Sequence, residues 1–221
     1  APGAVSAGFE PLPVGTSGRR LNVRRTIRTR RFWAFFGGAV AIGMFDEGVI
    51  QSFLPHAVSA GFGADFAAYA LGSQSIAYVA GQVLGGGLSD RLGRRTVGIV
   101  AAAVVGGGVV VAFGAATSAP AILLAGIVAH GVGTGATIAV RSAAFNDVFG
   151  GASFGTIFGL LAVAYPIGGA IAVYTGAISA DRIGSYAPLV ALAVVGVVAW
   201  AVVLWLAGPR RRPARPTRLA A

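Results

Sequence analysis

Two adjacent carboxylates, Asp46 and Glu47, are the only charged side chains in the apolar stretch from Phe32 to Leu54. An ionisable group at the depth of a bilayer core is costly and usually marks function. At 1.5 Å per residue Asp46 lies about 21 Å along a helix from Phe32, somewhat past the middle of a membrane-crossing segment. Two chemistries suit a carboxylate there: exchange of a proton, or capture of a cation. A packing role beside a water-filled vestibule is the other reading. Consecutive helix residues point about 100° apart, so only one of the pair can face a cavity squarely. Further on, Gln74, Tyr78 and Gln82 recur every fourth residue with Ser75 beside them. That polar face either lines a pathway or supplies hydrogen bonds between helices. His130, Thr134, Thr137 and Arg141 form a second stripe, in which His130 either relays protons near neutrality or is a hydrogen-bonded packing residue. Tyr165-Pro166 stands between Gly159 and Gly168-Gly169, where proline removes a helix hydrogen bond and the glycines permit hinging.

Other chemistries find no foothold. Two histidines far apart, no cysteine, no phosphate-binding glycine loop and no His-Glu-x-x-His helix leave no catalytic constellation, no metal site and no cofactor to expect. The formal net charge of +10 would suggest nucleic acid in a soluble chain. Here the arginines flank apolar segments, so topology and lipid headgroups are the expected partners, with no nucleic acid.

Such residues need helices that cross a bilayer. The chain is 56% hydrophobic and 11% charged, with 35 glycines and a mean hydropathy of +0.79, which is the profile of a multi-span helical membrane protein. A crossing needs about 20 apolar residues. Six spans are expected at 32–54, 66–88, 96–117, 119–140, 154–178 and 187–207. The breaks fall at Leu54-Pro55-His56, the basic loop Gly86 to Arg95, Thr117-Ser118-Ala119-Pro120, Arg141 to Gly151, and Asp181 to Tyr186. The first, second, fourth and fifth spans carry the polar or broken positions, whereas the third and sixth read as lipid-facing support. All 17 basic residues are arginine, which fits a GC-rich bacterial genome and so a bacterial inner membrane. All but Arg182 fall on one side, so both termini are expected in the cytoplasm. Trp33 and Trp205 suit that interface. Residues 1–31 read as a cytoplasmic basic linker or arm rather than a signal peptide, 32–207 as the six-helix bundle, and 208–221 as a basic cytoplasmic tail.

The hairpin between the second and third spans, Gly86-Gly87-Leu88-Ser89-Asp90-Arg91-Leu92-Gly93-Arg94-Arg95, resembles the loop signature of the major facilitator superfamily of secondary transporters. Phe53-Leu54-Pro55-His56, Gly61 to Asp65, Gly155-Thr156-Ile157-Phe158-Gly159 and Asp181 to Tyr186 are similar to the C-terminal half of that fold, closest to its monocarboxylate and oxalate:formate branch. The resemblance implies an all-α membrane protein: six transmembrane helices in two three-helix repeats, half of a 6+6 fold. It also implies a missing N-terminal six-helix partner or a second copy. The implied function is transport of a small solute by alternating access, with proton-coupled symport or antiport. The pathway residues would be Asp46, Glu47, Gln74, Tyr78, Gln82, His130, Thr134 and Tyr165. The gating loop would comprise Gly86, Asp90, Arg91, Gly93, Arg94 and Arg95, with Arg141 as the cation that latches Asp90. The competing reading is a membrane interaction or assembly subunit, or a truncated fragment, that does not transport.

Overall fold

The computed structural model describes residues 23–115, 119–151 and 153–207, so most of the arm 1–31, Thr117-Ser118 and the tail 208–221 lie outside the described residues. Within them the chain is helical, without strands: α1 (Val23–Thr26), α2 (Arg30–Phe45), α3 (Glu47–Ser59), α4 (Ala64–Leu92), α5 (Arg94–Gly114), α6 (Pro120–Phe149), α7 (Phe154–Ala162), α8 (Ala164–Ile183) and α9 (Ala187–Ala207). Thr29 starts the bundle. Its hydroxyl accepts from the Phe32 amide (3.3 Å) and donates to the Thr26 carbonyl (2.7 Å), satisfying one of the open amides of a helix start. The first transmembrane segment therefore begins at Arg30, two residues before the expected boundary.

Four features differ from expectation. Pro55 does not end the first span; it sits inside α3, and the segment runs on to Ser59. The interruption falls at Asp46, between α2 and α3. The expected kink at Pro166 appears as a break at Val163, because a proline withdraws its hydrogen bond from the carbonyl four residues earlier, that of Ala162. The glycine- and arginine-rich hairpin is shorter than a loop: Gly86 and Arg91 belong to α4, α5 starts at Arg94, and the reversal is Gly93 alone, at φ 95°. A side chain is strained at that angle, so glycine is required there, whereas a Cβ on Gly86 would meet nothing within 4 Å. α6 extends to Phe149, so the connection expected at Arg141 to Gly151 is mostly helix.

Among the described residues five segments are long and apolar enough to cross a membrane: Arg30–Ser59, Arg94–Gly114, Pro120–Phe149, Phe154–Ile183 and Ala187–Ala207. The expected six is thus met in five. α4 has the length, at 29 residues, but Ser73, Gln74, Ser75, Gln82 and its glycines dilute its apolar character.

Glycine governs the packing. A Cβ on Gly43 would overlap the Tyr165 carbonyl, and one on Gly168 the Val40 carbonyl, so α2 and α8 touch backbone to backbone. Gly81 lies against the Val132 backbone and Gly135 against the Tyr78 carbonyl, which joins α4 to α6 in the same way. Within each pair the contacts advance in step along both chains, so the partners run parallel. α5 crosses α6 antiparallel through Gly108, Gly126 and Gly133, and α9 crosses α2 through Gly38 and Gly196. Small residues allow this closeness where lipid offers no hydrophobic drive to hold helices together. Outward faces stay apolar, as at Ile76, Val83, Val195 and Leu206.

Candidate functional site

The break at Asp46 is the centre of the polar interior. Asp46 is 3% exposed although it sits midway along the segment Arg30–Ser59. The Tyr165 hydroxyl donates to its Oδ2 at 2.7 Å and reaches Glu47 Oε2 at 3.4 Å. Oδ1 of Asp46 is buried without a hydrogen-bond partner among the described residues. Glu47 turns away, half-buried, against Gly169, and accepts from Gln51 Nε2 at 3.0 Å. Of the two carboxylates Asp46 is therefore the interior one.

Arg141 joins this group. Its guanidinium lies over the Tyr165 ring, 5.5 Å from the centroid, within electrostatic range of Asp46 and Tyr78. Its Nε is buried without a partner among the described residues. The expected latch between Asp90 and Arg141 is not formed. Arg141 is held two turns inside α6, and Asp90 pairs with Arg94. Arg94 also donates to Ser89 Oγ (2.7 Å) and to Asp147 Oδ2 (3.3 Å), tying the ends of α4, α5 and α6. The signal overlooked in the sequence was Ala144, Phe145, Val148 and Phe149, whose helical spacing continues α6 past Arg141. Arg95 stacks on Trp205 at 5.0 Å, and Trp33 and Trp205 are both exposed at this end of the bundle.

The remaining sequence candidates divide. Tyr78 is half-buried and in electrostatic range of Asp46, with Gln82 hydrogen-bonded beside it. Gln74 is buried, with its backbone carbonyl against Gly131 of α6. His130 is fully buried and bonds the Phe45 carbonyl through Nε2 at 2.9 Å. Thr134 and Thr137 are 0% exposed, their hydroxyls unpartnered, so Thr134 does not open onto a pathway in this conformation. A cavity of about 570 Å³ lined by His56, Phe113 and Tyr186 lies at the far end of α3 and contains none of these groups. Among the described residues no cluster of His, Asp and Glu could hold a metal.

The family model for the Major Facilitator Superfamily matches residues 35–221, well over half of the sequence. The chain belongs to the Major Facilitator Superfamily. Members of this family are membrane transporters rather than enzymes, and the spans and buried polar group accord with that. A search of curated proteins finds no match. The family match does not single out the monocarboxylate and oxalate:formate branch.

The Arg94 node yields a prediction. Asp90 is 68% exposed and Asp147 37%, so each pair is expected to contribute at most about 1 kcal/mol. Arg94→Gln should lower the detergent-solubilised melting temperature only slightly while loosening this end, read as faster labelling of a cysteine placed at the buried Val97 in the first turn of α5. Labelling at the wild-type rate would make the node ornamental.

Proposed function

We propose that this chain is a six-helix half of a secondary active transporter that moves a small solute by alternating access, coupled to protons at Asp46. The observation that carries the reading is the buried carboxylate at a helix break, with one oxygen held by Tyr165 and the other unpartnered beside Arg141. A carboxylate so placed can take and release a proton with its geometry maintained by neighbours, and discontinuous helices are where transporters build their sites.

Matched contacts support an internal repeat. Gly43 lies on the carbonyl of Tyr165 and the amide of Gly169; Gly135 lies on the carbonyl of Tyr78 and the amide of Gln82. The tyrosines thus hold equivalent places in α8 and α4, as two three-helix units would place them, with α4 completing the set of six spans. The arginine distribution supports both ends lying in the cytoplasm of a bacterial inner membrane. The half-buried Tyr78 and Gln82 belong on a face that a second six-helix unit covers, because polar groups left in lipid are costly.

The test is uptake into proteoliposomes that hold this chain assembled with its second six-helix unit, screened over organic anions, sugars and drugs, with and without an imposed pH gradient. A solute whose uptake rises with the gradient and collapses with a protonophore supports the reading. Uptake indifferent to the gradient overturns the coupling, and failure to move any of the solutes favours the assembly subunit.

A further inference from the structure

The contact between His130 and Phe45 plays no part in that proton chemistry, yet it lies one residue from its centre. In an α-helix each carbonyl points along the axis toward the amide four residues on. At the end of α2 the Phe45 carbonyl receives a side chain from another helix, His130 Nε2 at 2.9 Å. A carbonyl only accepts, so Nε2 carries the hydrogen. His130 is itself immobilised: it is 0% exposed, and α5 presses on its backbone, where a Cβ on Gly108 would stand 2.6 Å from its nitrogen. Nδ1 has no partner, so the contact with Phe45 is the ring's one hydrogen bond among the described residues. The next residue in the chain is Asp46, whose Oδ2 lies 2.7 Å from the Tyr165 hydroxyl.

We propose that His130 is a positioning residue: by holding the Phe45 carbonyl it pins the break between α2 and α3 and so aims Asp46 at Tyr165 and Arg141. α6 then serves the site twice, fixing the backbone through His130 and placing the countercharge through Arg141. The role requires a hydrogen-bond donor at the Nε2 position and no titration of the imidazole. Glutamine can put an amide nitrogen near that position; leucine cannot donate, and the shorter asparagine stops short of the carbonyl.

The inference rests on Asp46 being the proton-exchanging group, and its test separates the two claims. Infrared pH-difference spectra of the reconstituted protein use the proton alone as probe, and the Asp46 carboxyl band is the one missing in Asp46→Asn. Tyr165→Phe marks where that band moves once the hydroxyl contact is lost. His130→Gln should leave the band at the wild-type frequency, and His130→Leu should move it to the Tyr165→Phe position. If leucine prevents folding, His130→Asn takes its place with the same expectation. A band that ignores both donor-deficient variants, or moves as far in His130→Gln, overturns the positioning role and leaves proton exchange at Asp46 standing. Absence of any band assignable to Asp46 overturns the proton reading and this inference with it.

Discussion

Asp46→Asn is expected to abolish the stimulation of uptake by a pH gradient while the protein still folds. Asparagine matches aspartate in size and keeps a carbonyl that accepts from the Tyr165 hydroxyl, now at 2.7 Å from Oδ2. What disappears is the capacity to bind and release a proton, together with the negative charge facing Arg141. Gradient-driven uptake should fall at least about tenfold, which corresponds to ~1.4 kcal/mol of lost driving interaction. Solute exchange without a gradient should survive. Tyr165→Phe is the graded companion: it keeps the ring under Arg141 and removes only the hydroxyl. A hydrogen bond to a charged group contributes about 1.5–3 kcal/mol, so a loss on the order of ten- to a hundredfold is expected. Glu47→Gln should be milder, because Glu47 is held by Gln51 at 3.0 Å and only distantly by Tyr165. Full gradient-driven uptake by Asp46→Asn would remove this carboxylate from the coupling mechanism.

The second large effect is structural. Gly168→Ala and Gly43→Ala should each destabilise the bundle by about 1–3 kcal/mol or more, the range for overpacking. In both, the added methyl meets backbone of the facing helix, the Val40 carbonyl in one case and the Tyr165 carbonyl in the other. A flexible side chain could swing aside; a carbonyl inside a hydrogen-bonded helix cannot, so α2 and α8 must separate along their length. That separation also pulls Tyr165 from Asp46, so transport should fall together with stability. Gly72→Ala is the control. Nothing lies within 4 Å of its Cβ, and alanine in a helix is favoured over glycine by roughly 0.5–1 kcal/mol. Melting curves of the three variants in one detergent provide the check. Equal melting temperatures would mean that the close approach of α2 to α8 is not what holds these helices.

Periodicity made much of this legible. The last span was read at 187–207, and α9 covers Ala187–Ala207, because an uninterrupted apolar run has only one way to sit in lipid. Asp46, Tyr165, His130 and Arg141 all stood out as polar residues at bilayer depth or on one stripe. Local interruptions were harder. Pro55 looked like a boundary and is accommodated within α3, whereas the true break at Asp46 carries neither proline nor an N-cap side chain bond. The contacts found there come from 85 and 119 residues away, His130 at the Phe45 carbonyl and Tyr165 at the Asp46 carboxylate.

The amino-acid sequence by itself determined the class of the molecule: apolar helices of bilayer length, a glycine- and arginine-rich turn between the second and third spans, and the few polar groups that cannot face lipid. These follow from transfer free energy and backbone sterics, which act residue by residue. Only the tertiary structure decided which polar groups meet. The sequence places Arg141 at the end of the fourth span; α6 continues past it, which takes it from Asp90 to Tyr165, and Asp90 turns to Arg94. Such pairings depend on how closely parallel helices approach and at what offset. That offset is set by backbone contacts at Gly43, Gly81, Gly135 and Gly168, between residues far apart in the chain.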